Sequence, residues 1–419
     1  MRVRIKWITL FLFLVSGITS CYSQQLKMNR NNRIVVSGIV DLHGAIENIP
    51  EGCILDVRNG RIKNGTIVGN QTTLLYTGAV FDHVHIKGIW NIPHISTSMF
   101  ADLSYENALK DVLALANPKV RNTITIEKGD YIVKASKNKD ACLSLYDNTE
   151  LILNGVIHII PNEYPWYDII RVHGYHITIR GKGMIVGDKH SHLGSTGEWG
   201  MGIRFHGAVN ASVSGLTIKD CWGDCIYVGG NSKNVLIEKC ILDHGRRQGI
   251  SVTKADSVTI KDCKISNVGG TNPQYAIDVE PNSNDMVDHV LIDNVEVTDC
   301  EGGFLATTGT RNTKRKIGKI QIRNCKVSAK SKNPVRITNC ESLSVEHCAI
   351  YAKNEYSAVY TRNARYVVVR NNTIHINNEI LLSAKNMVKR VMGKRGFAPI
   401  DVIQAEQQVV RDNKIIEVW

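Results

Sequence analysis

Val235-Leu236-Ile237-Glu238-Lys239-Cys240-Ile241-Leu242 is followed 23 residues later by Val258-Thr259-Ile260-Lys261-Asp262-Cys263-Lys264-Ile265. Both stretches place apolar residues at a first position and at plus two, plus five and plus seven. The same spacing recurs at Ala211/Val213/Leu216/Ile218, Val290/Ile292/Val295/Val297, Ile320/Ile322/Cys325/Val327, Leu343/Val345/Cys348/Ile350 and Val367/Val369/Asn372/Ile374. The starts 211, 235, 258, 290, 320, 343 and 367 step by 24, 23, 32, 30, 23 and 24 residues. Each step holds two strands of period two joined by a tight polar corner, then a looser loop and a third short strand. Repeats of this length mean a stacked solenoid, and β-branched strands without helical periodicity select a parallel β-helix. Such a fold presents its outward residues as ladders, which suits a polymeric partner.

The repeat extends in both directions with less regularity. Solenoids grow by adding coils, so 419 residues do not require a second core. Arg2, Arg4 and Lys6 precede the apolar run Trp7 to Val15, a pattern expected of a signal peptide over residues 1–21. Ile18-Thr19-Ser20-Cys21 matches a lipobox, which makes Cys21 a candidate for lipidation; ordinary cleavage nearby is the alternative. Either route implies export to the cell envelope, with the membrane touched only through the lipid. The net charge of +12 falls to about +9 without the leader and favours an acidic partner. No nucleic-acid-binding module is recognisable.

Residues 22–100 read as a β-rich cap or early coils, 101–380 as the β-helix and 381–419 as a C-terminal cap. Within this plan Ser104 is expected to N-cap a helix running to Ala116, with Ala108, Leu109, Val112 and Leu115 on its apolar face, plugging the open end. Residues Ile400 to Val410 are expected to form a helix capping the other end. Of eleven cysteines, Cys240, Cys263, Cys325 and Cys348 share one inward position, so they read as small core residues whose pairing stays open. No Cys-x-x-Cys spacing suggests structural zinc.

The pattern over roughly 100–380 resembles the right-handed parallel β-helix of the pectin-lyase-like superfamily, whose members commonly cleave or bind uronate-rich polysaccharides. That resemblance directs attention to the third strands. Aligning Ile203-Arg204-Phe205-His206, Ile226-Tyr227-Val228-Gly229, Ile250-Ser251-Val252-Thr253 and Ile277-Asp278-Val279-Glu280 with the later coils gives two outward rows. One contains Arg204, Tyr227, Ser251, Asp278, Leu305, Arg336 and Tyr360, and the other contains His206, Thr253, Glu280, Thr307, Thr338 and Arg362. Loops entering these strands add Trp222, Asp224, Asp243, His244, Arg246, Arg247, Gln248 and Tyr275.

Aromatics can stack on sugar faces, arginines can clamp carboxylates, and acids can move protons or bind a hard cation such as Ca²⁺. Arg204, Trp222, Arg246, Gln248, Tyr275, Arg336, Tyr360 and Arg362 are therefore substrate-binding candidates. Asp278 and Glu280, two residues apart on one face, are candidate Ca²⁺ ligands, with pairing to Arg246 or Arg247 as the alternative. Gly223-Asp224-Cys225-Ile226 resembles the Asp-Asp-Cys-Ile stretch of polygalacturonases, and His244-Gly245 with Gly249-Ile250-Ser251 resembles their histidine motif. Gly223 stands where that family has its first Asp, and Arg246-Arg247-Gln248 interrupts the second motif.

The expected activity is a polysaccharide lyase cleaving an acidic, uronate-containing chain such as a glycosaminoglycan or pectin. His244, Arg247, Tyr227, Asp224 and His206 are the catalytic candidates: arginine to neutralise the uronate carboxylate or act as base, histidine or tyrosine to exchange protons. A polygalacturonase-like hydrolase using Asp224 with Asp278 or Asp243, and a non-catalytic glycan-binding solenoid, are the other readings.

Overall fold

The computed structural model describes residues 26–418 apart from 30, 107, 139, 283, 310–315, 354 and 378–397. The leader and Cys21 lie outside these residues. From Trp166 onward the chain climbs as a regular parallel solenoid. Repeat starts pair in register, Ala211 with Val235, Val235 with Val258, Val258 with Val290, Val290 with Ile320, Ile320 with Leu343 and Leu343 with Val367. The second strands stack in an eleven-stranded sheet that runs from Asp130–Val133 to Lys414–Val418. The third strands stack likewise, Ile203 on Ile226, Ile226 on Ile250, Ile250 on Ile277 and Ile277 on Phe304. Inward residues of all three ladders merge into one apolar core from Leu26 to Ile376.

The corner between first and second strands explains why the repeat reads as it does. Lys239, Asp262, Asn294, Asn324, His347, Asn371 and Asp412 each occupy the left-handed region, with φ between 51° and 57°. Asn, Asp and His tolerate that conformation better than most side chains, hence the polar corner. The next residue points inward, and where it is cysteine its thiol donates to the carbonyl before the corner. Cys240 reaches Glu238 O at 3.3 Å, Cys263 reaches Lys261 O at 3.2 Å and Cys325 reaches Arg323 O at 3.1 Å. A small donor that tolerates burial is what this position requires. The cysteines of the described residues are all buried free thiols, so no disulfide crosses the coils there.

At the C-terminal end asparagine takes over this position. Asn372 is buried, accepts from Cys348 N at 2.9 Å and donates to Val345 O at 2.9 Å and to Asn413 Oδ1 at 2.9 Å. Asn413 in turn donates to Val369 O at 2.8 Å.

Two expectations about the ends are corrected. The helix is short, Ala108–Leu113, and Ser104 does not cap it; the Ser104 amide instead donates to Asp102 Oδ1. Nor does the helix plug an open end, because a four-stranded parallel sheet over Arg33–Asn91 precedes it in the stack. Buried Asp111 ties the helix to that sheet by accepting from Ile86 N at 2.9 Å and Tyr105 OH at 3.0 Å. The helix expected over 400–410 is instead strand Ile400–Ile403 followed by Gln407–Arg411. These pair with Val359–Arg362 and Tyr366–Arg370, so the tail completes one more coil. The corner residue Asp412 (φ 56°) and Asn413 repeat the rule of the coils below. No helix among the described residues is long and apolar enough to cross a membrane.

Asn372→Ala leaves the Cys348 amide and the Val345 carbonyl buried without partners, at about 1–3 kcal/mol for each unsatisfied group. A clear drop in thermal midpoint is expected, measurable by circular dichroism, and an unchanged midpoint would contradict the clasp.

Candidate active site

The outward face of the third-strand ladder forms the floor of a cavity of about 380 Å³, lined by Pro165, Trp166, Trp199, Arg204, Tyr227, Arg247, Thr253, Asp278, Glu280 and Asn282. Its basic, aromatic side is built on a fully buried carboxylate. Asp168 accepts from Arg204 Nε at 2.6 Å and from Arg171 Nε at 2.7 Å. Arg204 is held between two rings, its guanidinium carbon 4.9 Å from the Trp166 centroid and 4.3 Å from that of Tyr227. Tyr227 OH accepts from Thr253 Oγ1 at 2.7 Å. A guanidinium fixed this way loses little freedom on meeting an anion.

The acidic side is different. Asp224 is fully buried and accepts from Arg247 Nη1 at 3.2 and 3.4 Å, yet burial raises its pKa above the ordinary carboxylate range despite that ion pair. Arg247 loses solvation by burial, but the field of Asp224, Asp278 and Glu198 outweighs this and raises its pKa. It therefore stays a cation, which removes the expected role of arginine as base. Asp278 is 1% exposed. Its Oδ2 accepts from Gln248 Nε2 at 3.0 Å, and its Oδ1 is buried without a hydrogen-bond partner among the described residues. Burial first, then the charge of Glu280, push its pKa well above the ordinary value. Asp278 is thus driven toward the neutral acid, while Arg247 opposes the shift only in part.

The expected Ca²⁺ site does not fit these surroundings. A hard cation needs six to eight oxygens, whereas Asp278 meets the Gln248 amide donor and the Arg247 charge. Among the described residues, the group of three side chains spaced for a metal is Asp256, Asp288 and His289, outside this cavity.

Of the candidates, Arg204, Tyr227, Arg247, Asp278 and Glu280 line the cavity together, with Asp224 and Gln248 buried behind it. The others lie elsewhere. Trp222 has both faces occupied, by Arg246 at 3.7 Å and by His192 at 3.9 Å, and Arg246 donates to Gly197 O at 3.1 Å. This stack holds down the loop that delivers Glu198 and Trp199. His244 is paired with Asp243 at 2.7 Å on the second-strand side, and Asp243 is further engaged by Ser266 and Asn267. His206 is exposed, one rung from Gly229 and outside the lining. Tyr275 is buried, its hydroxyl pushed up to about 12 by burial. Arg336 lies over Tyr360 at 5.5 Å, beyond Leu305 on the ladder, and Arg362 is exposed beside them.

Trp166, Asp168, Arg171, Glu198 and Trp199 were not among the candidates. A signal existed: Ile170-Arg171-Val172-His173 repeats Ile203-Arg204-Phe205-His206, and Trp166 pairs in register with Trp199.

The sequence matches the family described as Right handed beta helix region over residues 155–317 and 284–418. The chain belongs to that family. It is 30% identical over 188 residues to the SPbeta prophage-derived uncharacterized protein YorA of Bacillus subtilis, covering 38% of this chain and 32% of that protein. It is 29% identical over 218 residues to the uncharacterized protein YclG of the same organism, covering 45% of this chain and 37% of that one. The match thus spans about a third of these curated relatives. The A-module of the Azotobacter vinelandii mannuronan C-5 epimerase AlgE6 superposes on 78% of this chain, a right-handed parallel β-helix, and on 99% of its own length, with a TM-score of 0.54 at 12% identity. That likeness is one of fold.

The raised pKa of Asp278 has a consequence for stability. A carboxyl whose pKa is higher folded than unfolded contributes stability that is complete below the unfolded value, about 3.9, and lost as pH rises through the folded value. Asp278→Asn keeps an acceptor for Gln248 and carries no charge. Its thermal midpoint is expected to exceed that of the parent protein at pH 8, with the difference shrinking toward zero near pH 4. A pH-independent difference between the two would show that Asp278 is not desolvated as described.

Proposed function

We propose that the protein cleaves an acidic, uronate-containing polysaccharide at this cavity, with Asp278 as the proton donor to the departing glycosidic oxygen. The observation that carries the reading is the buried, unpartnered Oδ1 of an acid that its surroundings drive toward the neutral form. General acids are tuned this way, by burial beside a second carboxylate. Glu280, immediately after that strand ends, supplies the second carboxylate two residues on and lines the same cavity. Arg204, gripped by Trp166 and Tyr227, faces the acids and offers a carboxylate-bearing sugar its charge. A mannuronan-acting protein with this fold gives the reading a precedent of scaffold, not of residues.

In hydrolysis the Asp278 proton passes to the leaving oxygen as the C–O bond breaks, while Glu280 accepts a proton from the attacking water. Elimination is the second reading, favoured by Tyr227: its hydroxyl lies in the same cavity beside Arg204, placed to take a proton next to a neutralised carboxylate. The leader and Cys21 would place this activity in the cell envelope.

Purified protein incubated with a panel of acidic polysaccharides is expected to release reducing ends. Asp278→Asn and Glu280→Gln should each lower the rate by roughly 10²–10⁴-fold, and Arg204→Ala should act mainly on KM. Reducing ends without ultraviolet absorbance of an unsaturated sugar would mean hydrolysis; absorbance would move the assignment to elimination. Neither signal across the panel, with polymer still retained, would replace cleavage by binding.

A further inference from the structure

Gln248 is fully buried with both ends of its amide engaged. Its Oε1 accepts from the Tyr275 backbone N–H at 2.7 Å, and its Nε2 donates to Asp278 Oδ2 at 3.0 Å. The orientation follows from chemistry. A backbone N–H can only donate, so the amide atom facing Tyr275 N must be the oxygen. The flipped amide would set a donor against a donor and orphan the buried Tyr275 N–H, at about 1–3 kcal/mol. With the NH₂ group facing Asp278, Oδ2 is an acceptor whichever protonation state the acid is in.

A proton on Asp278 is therefore favoured on Oδ1, because the carbonyl oxygen of a neutral acid is a better acceptor for the Gln248 N–H than its hydroxyl oxygen. We propose that Gln248 is a positioning residue that holds the dissociable proton of Asp278 on Oδ1, the oxygen that has no partner among the described residues. The catalytic consequence rests on Asp278 being the proton donor; the placement of the proton does not.

The charges facing Asp278 agree with this assignment. Burial has the largest effect and disfavours the anion; Glu280 just beyond the strand and Asp224 from two coils below disfavour it further, and Arg247 from the preceding coil favours it. Tyr275, on the same strand, feels the Asp278 charge as well. Along the ladder Asp278 is flanked by Ser251 and Leu305, which bring no charge. The Oδ1–H is a buried donor lacking an acceptor among the described residues, and a glycosidic oxygen brought to it would supply one. On transfer the Oδ1–H bond breaks, the proton bonds to the leaving oxygen, and the new carboxylate keeps the Gln248 N–H and the Arg247 charge as its stabilisers.

The placement can be tested without any substrate. The carboxylic C=O band of Asp278, assigned by its loss in Asp278→Asn, is followed by difference infrared spectroscopy as pH is varied. Gln248→Leu removes a donor that favours the anion, so the midpoint of the band should move upward. With the opposite amide orientation the acid would donate to Oε1, and the same substitution would move the midpoint down. A downward shift or no shift overturns the proposal. Should the leucine variant fail to fold, Gln248→Met fills a similar volume and likewise removes only the donor, so the midpoint again rises, whereas a fall or no shift overturns the assignment. Cleavage assays on the same variants separate the two ideas: an upward infrared shift with no cleavage of any polymer retains the proton placement and rejects only the activity.

Discussion

Everything in this protein depends on the in-register parallel stacking of coils about 4.8 Å apart. Each inward side chain sits on its counterpart in the coil below, and a one-residue slip would turn every core residue to solvent. The left-handed corner residue makes that register affordable, because it bends the chain in one residue and sends the next side chain inward. Lys239 is the exception in a row of Asp, Asn and His. A long side chain is tolerated there because the corner itself points to solvent, not because the conformation suits it.

The same stacking concentrates charge. Residues far apart in sequence, such as Asp168, Arg204, Asp224, Arg247 and Asp278, are brought onto adjoining rungs or the loops entering them. The cavity separates them by how they are satisfied. Asp168 is saturated by two guanidinium groups, Asp224 is paired with one, and Asp278 receives a single amide donor.

The repeat was legible because its cause is local: strand alternation and the corner conformation act within eight residues. The third-strand rows were legible for the same reason, and Ile203, Ile226, Ile250 and Ile277 pair as their alignment implies. What could not be read was partnership. Nothing in Trp222 or Arg246 distinguishes a sugar platform from a stack closed on both faces by His192 and the arginine itself. His244 carried a motif-like neighbour, yet its position on the second-strand side turns it to Asp243. The tail misled because Asp401, Gln404, Glu406 and Gln407 interrupt its apolar residues, which are less buried than those of the coils below, with Val409, Val410 and Ile415 exposed.

That final coil also determines how the molecule should respond to a pulling force. With no disulfide between coils in the described residues, each turn is retained by its neighbours alone, so extension from the C-terminus would peel the solenoid one turn at a time. An early barrier such a force meets is the Asn372–Asn413 pair, whose amides bind three successive coils. Asparagine at this one position latches the last described coil to the two below it.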